Sequence, residues 1–258
     1  MGTDWKHYLD RYHERNAGIT EDLLDHSTHS DGIGPYDFLA RQIPASSATI
    51  LDVACGSAPT ARRVGHDVEY IGSDRSRGEL SVAATHYPDR LFVQADATAI
   101  PVTNSRVDTV VCSMALMLLD PLDVALRQIA GALRPGGSLV AMYPAFGLPR
   151  LREIPAVLAM LTALRSAPEF PRHLSKSRVT SAFDRVGLHL DSYATRRYAI
   201  PIKAAADADR LVSGLYLPNV PPERIEAARS ALARLARRGT SLPMHITHIA
   251  ATANATAT

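Results

Sequence analysis

The chain has 258 residues, of which 46% are hydrophobic and 21% charged, with a formal net charge of +2. That composition excludes intrinsic disorder and leaves ample length for one α/β domain with insertions. The charge is too mild to imply a nucleic-acid partner, and no apolar run approaches the ~18 residues of a membrane span.

Met1 to Asp10 is polar and does not read as a signal peptide, so a cytoplasmic location is expected. The segment from Asp4 to Arg15 places Trp5, Tyr8, Leu9 and Tyr12 at helical spacing, giving one aromatic face. Ile19 to Leu24 reads as a second short helix, Asp31 to Pro35 as a turn cluster, and Tyr36 to Ile43 as a helix leading into the first strand. From Ile50 an apolar run with one carboxylate, Asp52, forms that strand. It breaks at Cys55-Gly56-Ser57-Ala58-Pro59 into a small-residue turn, and a short helix follows with Thr60 or Ser57 as its cap. Val68 to Asp74 and Leu91 to Ala97 are the second and third strands, each carrying an acid at its end. Val107 onward is the fourth. Helices are predicted over Arg77–His86 and Leu122–Leu133, and Pro135-Gly136-Gly137 as a tight turn into a fifth strand, Ser138 to Met142. Cys55 and Cys112 fall on predicted core strands and read as small buried side chains rather than a redox pair.

After Tyr143-Pro144 the alternation stops. Leu148 to Ala167 is an apolar helix containing Pro149 and Pro155. A helix from Ser175 to Val186 and a strand from His189 to Pro201 resume the plan. Two more helices, Ala204–Leu217 and Pro222–Arg238, precede a last strand over Pro243–Thr252 and a frayed tail. The basic segment Arg234, Arg237 and Arg238 reads as an exposed helix face. The alternation implies a parallel sheet with right-handed crossovers, and a ligand site beyond the carboxyl ends of its strands. Gly56, Asp74, Asp96, Met114 and Tyr143 would share that rim.

A strand, a tight loop and a helix start let backbone N–H groups reach an anionic or zwitterionic ligand; an ordinary βα turn is the plain alternative. Acids at the tips of the next two strands, Asp74 and Asp96, suit two ribose hydroxyls and an adenine amine. A dinucleotide loop requires G-x-G-x-x-G. Here only Gly56 is present, Ala58 and Ala61 stand at the other two places, and Pro59 removes a donor. A ligand with an amino-acid end needs less clearance than a pyrophosphate.

The stretch Leu51-Asp52-Val53-Ala54-Cys55-Gly56-Ser57, the acids Asp74 and Asp96, Val107 to Leu116 and Leu133-Arg134-Pro135-Gly136-Gly137-Ser138-Leu139-Val140 occur in this order and spacing. On these motifs the sequence resembles the class I S-adenosylmethionine-dependent methyltransferases, in particular the small-molecule, methyltransferase type 11-like group. The resemblance implies an α/β, Rossmann-like doubly wound sheet of seven mostly parallel strands with a helical lid and cap. As a single domain over 1–258 this would comprise a lid (1–45), a cofactor core (46–144), cap insertions (145–174 and 203–240) and remaining core (175–202 and 241–253). It implies S-adenosyl-L-methionine as cofactor, S-adenosyl-L-homocysteine as product and no metal. The backbone of Ala54 to Ser57, Gly56 included, would hold the methionine end, with Asp52 near its ammonium. Asp74, with Arg75 beside it, would take the ribose. Asp96 and Ala97 would take the adenine, and Ser113 and Met114 would lie against the sulfonium.

Methyl transfer from a sulfonium relies mainly on positioning, and a base is needed only when the acceptor carries a proton. His13, flanked by the aromatic face, and Tyr143, after the fifth strand, are the candidates on the acceptor side. Met117 and Leu118 make the wall after the fourth strand apolar, which suits a small, partly hydrophobic acceptor methylated on O, N or C. RNA or protein methylation, and S-adenosylmethionine binding without transfer, are the competing readings. A monomer or a homodimer is expected, with no nucleic-acid or membrane partner.

Overall fold

The computed structural model describes residues 3–102, 105–236 and 239–255. Its strands are β1 (Thr49–Val53), β2 (Glu69–Asp74), β3 (Leu91–Gln94), β4 (Val107–Ser113), β5 (Leu133–Ala145), β6 (Leu188–Ile202) and β7 (Thr240–Ala253). They form one sheet in the order β3-β2-β1-β4-β5-β7-β6. β1 pairs in parallel with β2 and with β4, β2 with β3, and β4 with β5. The first five strands therefore present their carboxyl ends on one edge. This is the doubly wound, mostly parallel plan expected from the alternation of elements.

The chain divides into two compact units. The sheet unit comprises Tyr36–Pro144, Arg172–Thr195 and Thr247–Thr258. Its helices are α3 (Pro35–Ala40), α4 (Arg77–His86), α5 (Leu122–Ala132) and α7 (Lys176–Asp184). β1 and β4 are buried along most of their length, as central strands of a doubly wound sheet are. Leu51, Val53, Val110 and Val111 are fully buried. On α5, Ala125, Leu126, Ile129 and Ala132 recur at i, i+1, i+4 and i+7 and are all buried. Each such Leu or Ile contributes about 2 kcal/mol through its burial.

The helical unit comprises Met1–Pro35, Ala145–Pro171 and Arg196–Ile246. It contains α1 (Trp5–Arg15), α2 (Ile19–Asp25), α6 (Ile154–Leu164), α8 (Ala205–Ser213) and α9 (Pro222–Ala236). Leu23, Met160, Leu164, Leu211 and Leu232 belong to a core of its own. The aromatic face predicted on α1 is used for packing inside this unit. The Tyr12 hydroxyl donates to Ser213 O at 2.7 Å, Leu217 N–H donates to the Tyr8 hydroxyl at 2.8 Å, and the Tyr12 and Tyr216 rings meet edge to face at 4.7 Å.

Several local expectations are corrected. Pro135-Gly136-Gly137 is not a turn before the fifth strand but lies within β5, where the β4–β5 register shifts between Val107 and Thr109. Gly136 has φ +75°, and a Cβ on Gly137 would stand 2.9 Å from Arg134 O, so glycine permits this irregularity. The segment after Thr60 is a single 3₁₀ turn, Ala61–Arg63, without a side-chain cap. α6 begins at Ile154, with Pro155 in its first turn, where the missing N–H costs nothing. Arg237 and Arg238, and the end of the tail from residue 256, lie outside the described residues.

Gly72 stands opposite Asp52 in the β1–β2 register. A Cβ there would come 2.7 Å from the Phe92 ring and 2.9 Å from Cys55 Sγ. Gly72→Ala is expected to destabilise by about 1–3 kcal/mol through overpacking, with partial recovery in Gly72→Ala/Phe92→Leu. Urea denaturation of the two variants checks this; a wild-type midpoint for Gly72→Ala would show that the space is not filled.

Candidate functional site at the carboxyl edge of the sheet

The loop after β1 is built from alternate residues in the left-handed region: Ala54 at φ 54°, Gly56 at 55° and Ala58 at 61°. Cys55 N–H donates to Ser73 O at 3.0 Å, and Ala58 N–H to Cys55 O at 2.9 Å. The backbone thus coils tightly at the tip of β1. Two of the three left-handed positions carry a methyl group, which costs roughly 1–2 kcal/mol each relative to an ordinary conformation. A fourth such residue, Met114 at φ 56°, ends β4, its N–H donating to Met142 O at 2.7 Å. Strain of this kind at the ends of adjacent parallel strands marks a functional edge.

Asp74, at the end of β2, is 9% exposed. Its Oδ2 accepts from Gly56 N–H at 2.8 Å and its Oδ1 from Ser76 N–H at 2.8 Å. The acid expected to face a ribose therefore also clamps the loop to the second strand. A carboxylate has about four acceptor positions, so two bonds to backbone leave room for hydroxyl donors. Asp52, in β1, is fully buried. Its Oδ2 accepts from the Tyr70 hydroxyl at 2.7 Å. Its Oδ1 and the Thr60 hydroxyl are both buried without a hydrogen bond of acceptable geometry, although Thr60 stands close enough to favour the ionised acid. Burial pushes the Asp52 carboxyl up to about 7, against the pull of the Tyr70 and Thr60 hydroxyls and with a contribution from the charge of Asp74.

The remaining predicted residues divide by location. Ser57 and Ser113 are buried on the same edge. Arg75 is exposed, and its carbonyl accepts from Gln94 Nε2 at 2.9 Å. β3 ends at Gln94, so Asp96 and Ala97 sit in the turn beyond it. There Asp96 Oδ1 accepts from Thr98 N–H at 2.9 Å and from Thr98 Oγ1 at 2.7 Å. Tyr143 does not project beyond the fifth strand: it is inside β5 and 1% exposed. Its hydroxyl is buried without a partner of hydrogen-bond geometry beside Tyr193, and burial, reinforced by that neighbour, raises its pKa. His13 lies on α1 of the helical unit, with Nε2 3.1 Å from the Tyr216 hydroxyl.

Sequence reading missed Glu79, Tyr70 and Thr60. Glu79 was visible as the last residue of Ser76-x-x-Glu, a helix-start signature. Tyr70 carried no signal, because its bond to Asp52 joins two strands eighteen residues apart in sequence.

Asp52 and Asp74 stand beside the loop and suit a ligand that carries an ammonium there. The orphaned Asp52 Oδ1 and Thr60 Oγ1 supply an unused acceptor and an unused hydroxyl for an ammonium-bearing group. The residues present therefore fit the amino-acid end of S-adenosylmethionine.

Two outcomes follow from this geometry. Ala54 is partly exposed, so Ala54→Gly relieves strain at the smaller cost of chain entropy and should stabilise by about 0.5–1 kcal/mol. Ala58 is fully buried, so Ala58→Gly also loses a packed methyl, worth about 0.8 kcal/mol, and should be near neutral. Equal shifts in thermal denaturation would contradict the assigned conformations. The second outcome concerns pH. Between its ordinary value of about 4 and about 7, Asp52 keeps a proton in the folded chain that the unfolded chain has lost. Its contribution to stability therefore falls as pH rises through that window. Asp52→Asn cannot ionise, and its stability relative to wild type should rise by roughly 2–3 kcal/mol between pH 5 and pH 8. A pH-independent difference in urea denaturation would refute the protonated acid.

A model of the methyltransferase domain family matches residues 51–141, which lie in the sheet unit. A malonyl-[acyl-carrier protein] O-methyltransferase of Enterobacter lignolyticus is 30% identical over 182 residues, 69% of each chain. A demethylmenaquinone methyltransferase of Beutenbergia cavernae is 32% identical over 92 residues, 35% of this chain and 38% of its own. Among solved structures, the YcgJ protein of Bacillus subtilis superimposes with a TM-score of 0.59 at 18% identity, over 85% of this chain and 97% of its own, and so shares the fold. The relative that matches two thirds of both chains, the matched domain and the shared fold place the left-handed loop and its acids in a known setting: the chain belongs to the class I S-adenosylmethionine-dependent methyltransferases.

Proposed function

We propose that this methyltransferase transfers the methyl group of S-adenosyl-L-methionine to an O, N or C atom of a small, partly hydrophobic molecule. The observation that carries the cofactor half is the loop Ala54–Ala58, coiled through three left-handed residues and ringed by buried acids. The acceptor half is supported by Met117, buried after β4, by the demethylmenaquinone in the printed name of one relative, and by the malonyl group, carried on a protein, in the printed name of another. No helix among the described residues is long and apolar enough to cross a membrane. The enzyme is proposed to act in the cytoplasm, as a monomer or homodimer, without a metal and without a nucleic-acid partner.

The cofactor supplies an activated methyl group, so the protein's task is orientation, worth about 7–11 kcal/mol in well-aligned cases. The backbone of Ala54 to Ser57 and Asp52 are proposed to hold the methionine end. Asp74 and Arg75 take the ribose region, Asp96 and Ala97 the adenine, and Ser113 and Met114 stand at the sulfonium. Tyr143 lies one residue after Met142, whose carbonyl accepts from Met114 N–H. Its unpartnered hydroxyl is proposed to orient the acceptor. Where the acceptor carries a proton, His13, held by the Tyr216 hydroxyl, is the proposed base.

The deciding experiment supplies cofactor with a labelled methyl group to purified enzyme and a fractionated lysate of the source organism. Label is expected in the small-molecule fraction, with a mass that identifies the acceptor. Label in RNA or protein would overturn the acceptor class. No label in any fraction, with calorimetry still showing cofactor binding, would favour binding without transfer.

A further inference from the structure

Five large hydrophobic side chains are exposed among the described residues, and four of them, Phe146, Leu148, Leu151 and Leu158, fall within one stretch of the helical unit. Phe146, Leu148 and Leu151 are 78%, 87% and 86% exposed. They belong to the segment that leaves β5 and enters α6 through a 3₁₀ turn, Leu151–Glu153. This segment is anchored. Gly147 lies against the imidazole of His245 in β7, so closely that a Cβ would overlap the ring. Glu153 Oε2 accepts from Arg150 N–H at 2.8 Å, and its Oε1 pairs with Arg197 and accepts from Ser241 Oγ at 3.3 Å. α6 itself is apolar on two sides. Ala156, Met160 and Leu164 are buried in the core of the unit. Pro155, Leu158 and Thr162 follow at helical spacing on the exposed side. A helix that is apolar all round is ordinarily buried all round, yet Leu158 is 57% exposed.

The charges of this stretch have one sign where it meets solvent. Between Ala145 and Arg165 the acid is Glu153, which is fully buried and already bonded. Arg150 and Arg152 are exposed and form no ion pair among the described residues. Apolar side chains projecting between unpaired guanidinium groups suit the interface of an anionic bilayer. A protein partner would need a groove shaped to receive side chains that stand this far out, whereas lipid adapts to them. A second copy seated on the same face about a two-fold axis would bring Arg150 and Arg152 of both copies together with no acid to answer them. We propose that residues 146–158 form a docking surface for an anionic membrane, with Phe146, Leu148 and Leu151 entering the headgroup layer and Arg150 and Arg152 meeting lipid phosphates. The expectation of no membrane partner is thereby narrowed to membrane spans: no helix among the described residues can cross a bilayer, but a surface contact needs no span. Membrane contact of this kind does not depend on what the cofactor loop binds.

Co-sedimentation of the full chain with vesicles tests it. Wild-type protein is expected to pellet with vesicles of phosphatidylcholine and phosphatidylglycerol in equal parts, and about tenfold more weakly with phosphatidylcholine alone. Leu148→Ser/Leu151→Ser should lower the partition onto the mixed vesicles by at least about tenfold. Arg150→Gln/Arg152→Gln, which keeps the Arg150 N–H bond to Glu153, should lower it by about ten- to thirtyfold and remove much of its salt dependence. All four side chains are exposed, so both double variants should melt with the wild type by circular dichroism. Failure of the wild type to bind mixed vesicles would overturn the proposal and return the face to a protein partner. Binding that either double variant leaves unchanged would overturn it as well. So would a dimer of the wild type in analytical ultracentrifugation that Leu148→Ser/Leu151→Ser abolishes, since the face then belongs to a second copy.

Discussion

The hydrogen bond from Gly56 N–H to Asp74 Oδ2, at 2.8 Å, is the contact on which the carboxyl edge depends. It joins the tip of β1 to the tip of β2 across a loop whose backbone is strained at three alternate residues. A charged acceptor makes this bond stronger than a neutral one. The same carboxylate holds the start of α4 through Ser76 N–H. One side chain thereby fixes the loop, the strand end and the first turn of the next helix relative to one another.

The electrostatics of the loop follow from that arrangement. Helix starts and coiled loops ordinarily attract anions, since several N–H groups converge there. In this chain the Gly56 N–H is answered by an acid of the protein itself, Asp74, and the buried Asp52 Oδ1 has no hydrogen-bond partner. The methionine end proposed for this loop, which carries an ammonium, would use the same loop geometry that elsewhere serves dinucleotides, through a change of side chains around it.

Much of this edge was legible in the sequence. The strands β1, β2 and β4 are apolar runs ended by small or acidic residues, and their order implied which ends would meet. Ala58 was recognisable as a replacement for glycine, and the structure shows it, like Ala54, holding the left-handed conformation. What was not legible depends on contacts between residues distant in sequence. Nothing in the run Glu69 to Asp74 shows that Tyr70 will bond Asp52, or that Asp74 will spend two acceptor positions on backbone. Tyr143 was placed beyond the fifth strand because that strand was ended at Met142, three residues short of its end at Ala145. The aromatic face of α1 was visible as a face, but its destination, Ser213 and Tyr216, lies two hundred residues away.

Ala54, Ala58 and Met114 in left-handed conformations and Asp52 in a site that resists its ionisation all weaken the free protein. They persist because the surrounding sheet over-determines them: Val53, Cys55, Val110 and Val111 around them are buried and cannot relax without opening the core. A bound cation would favour the ionised form of Asp52 and use its orphaned oxygen, so part of what the free loop lacks is returned on binding. Affinity and stability are therefore coupled at this edge. Substitutions that quiet the loop, by removing a buried acid or by supplying glycine, act on the difference between the free and the bound protein.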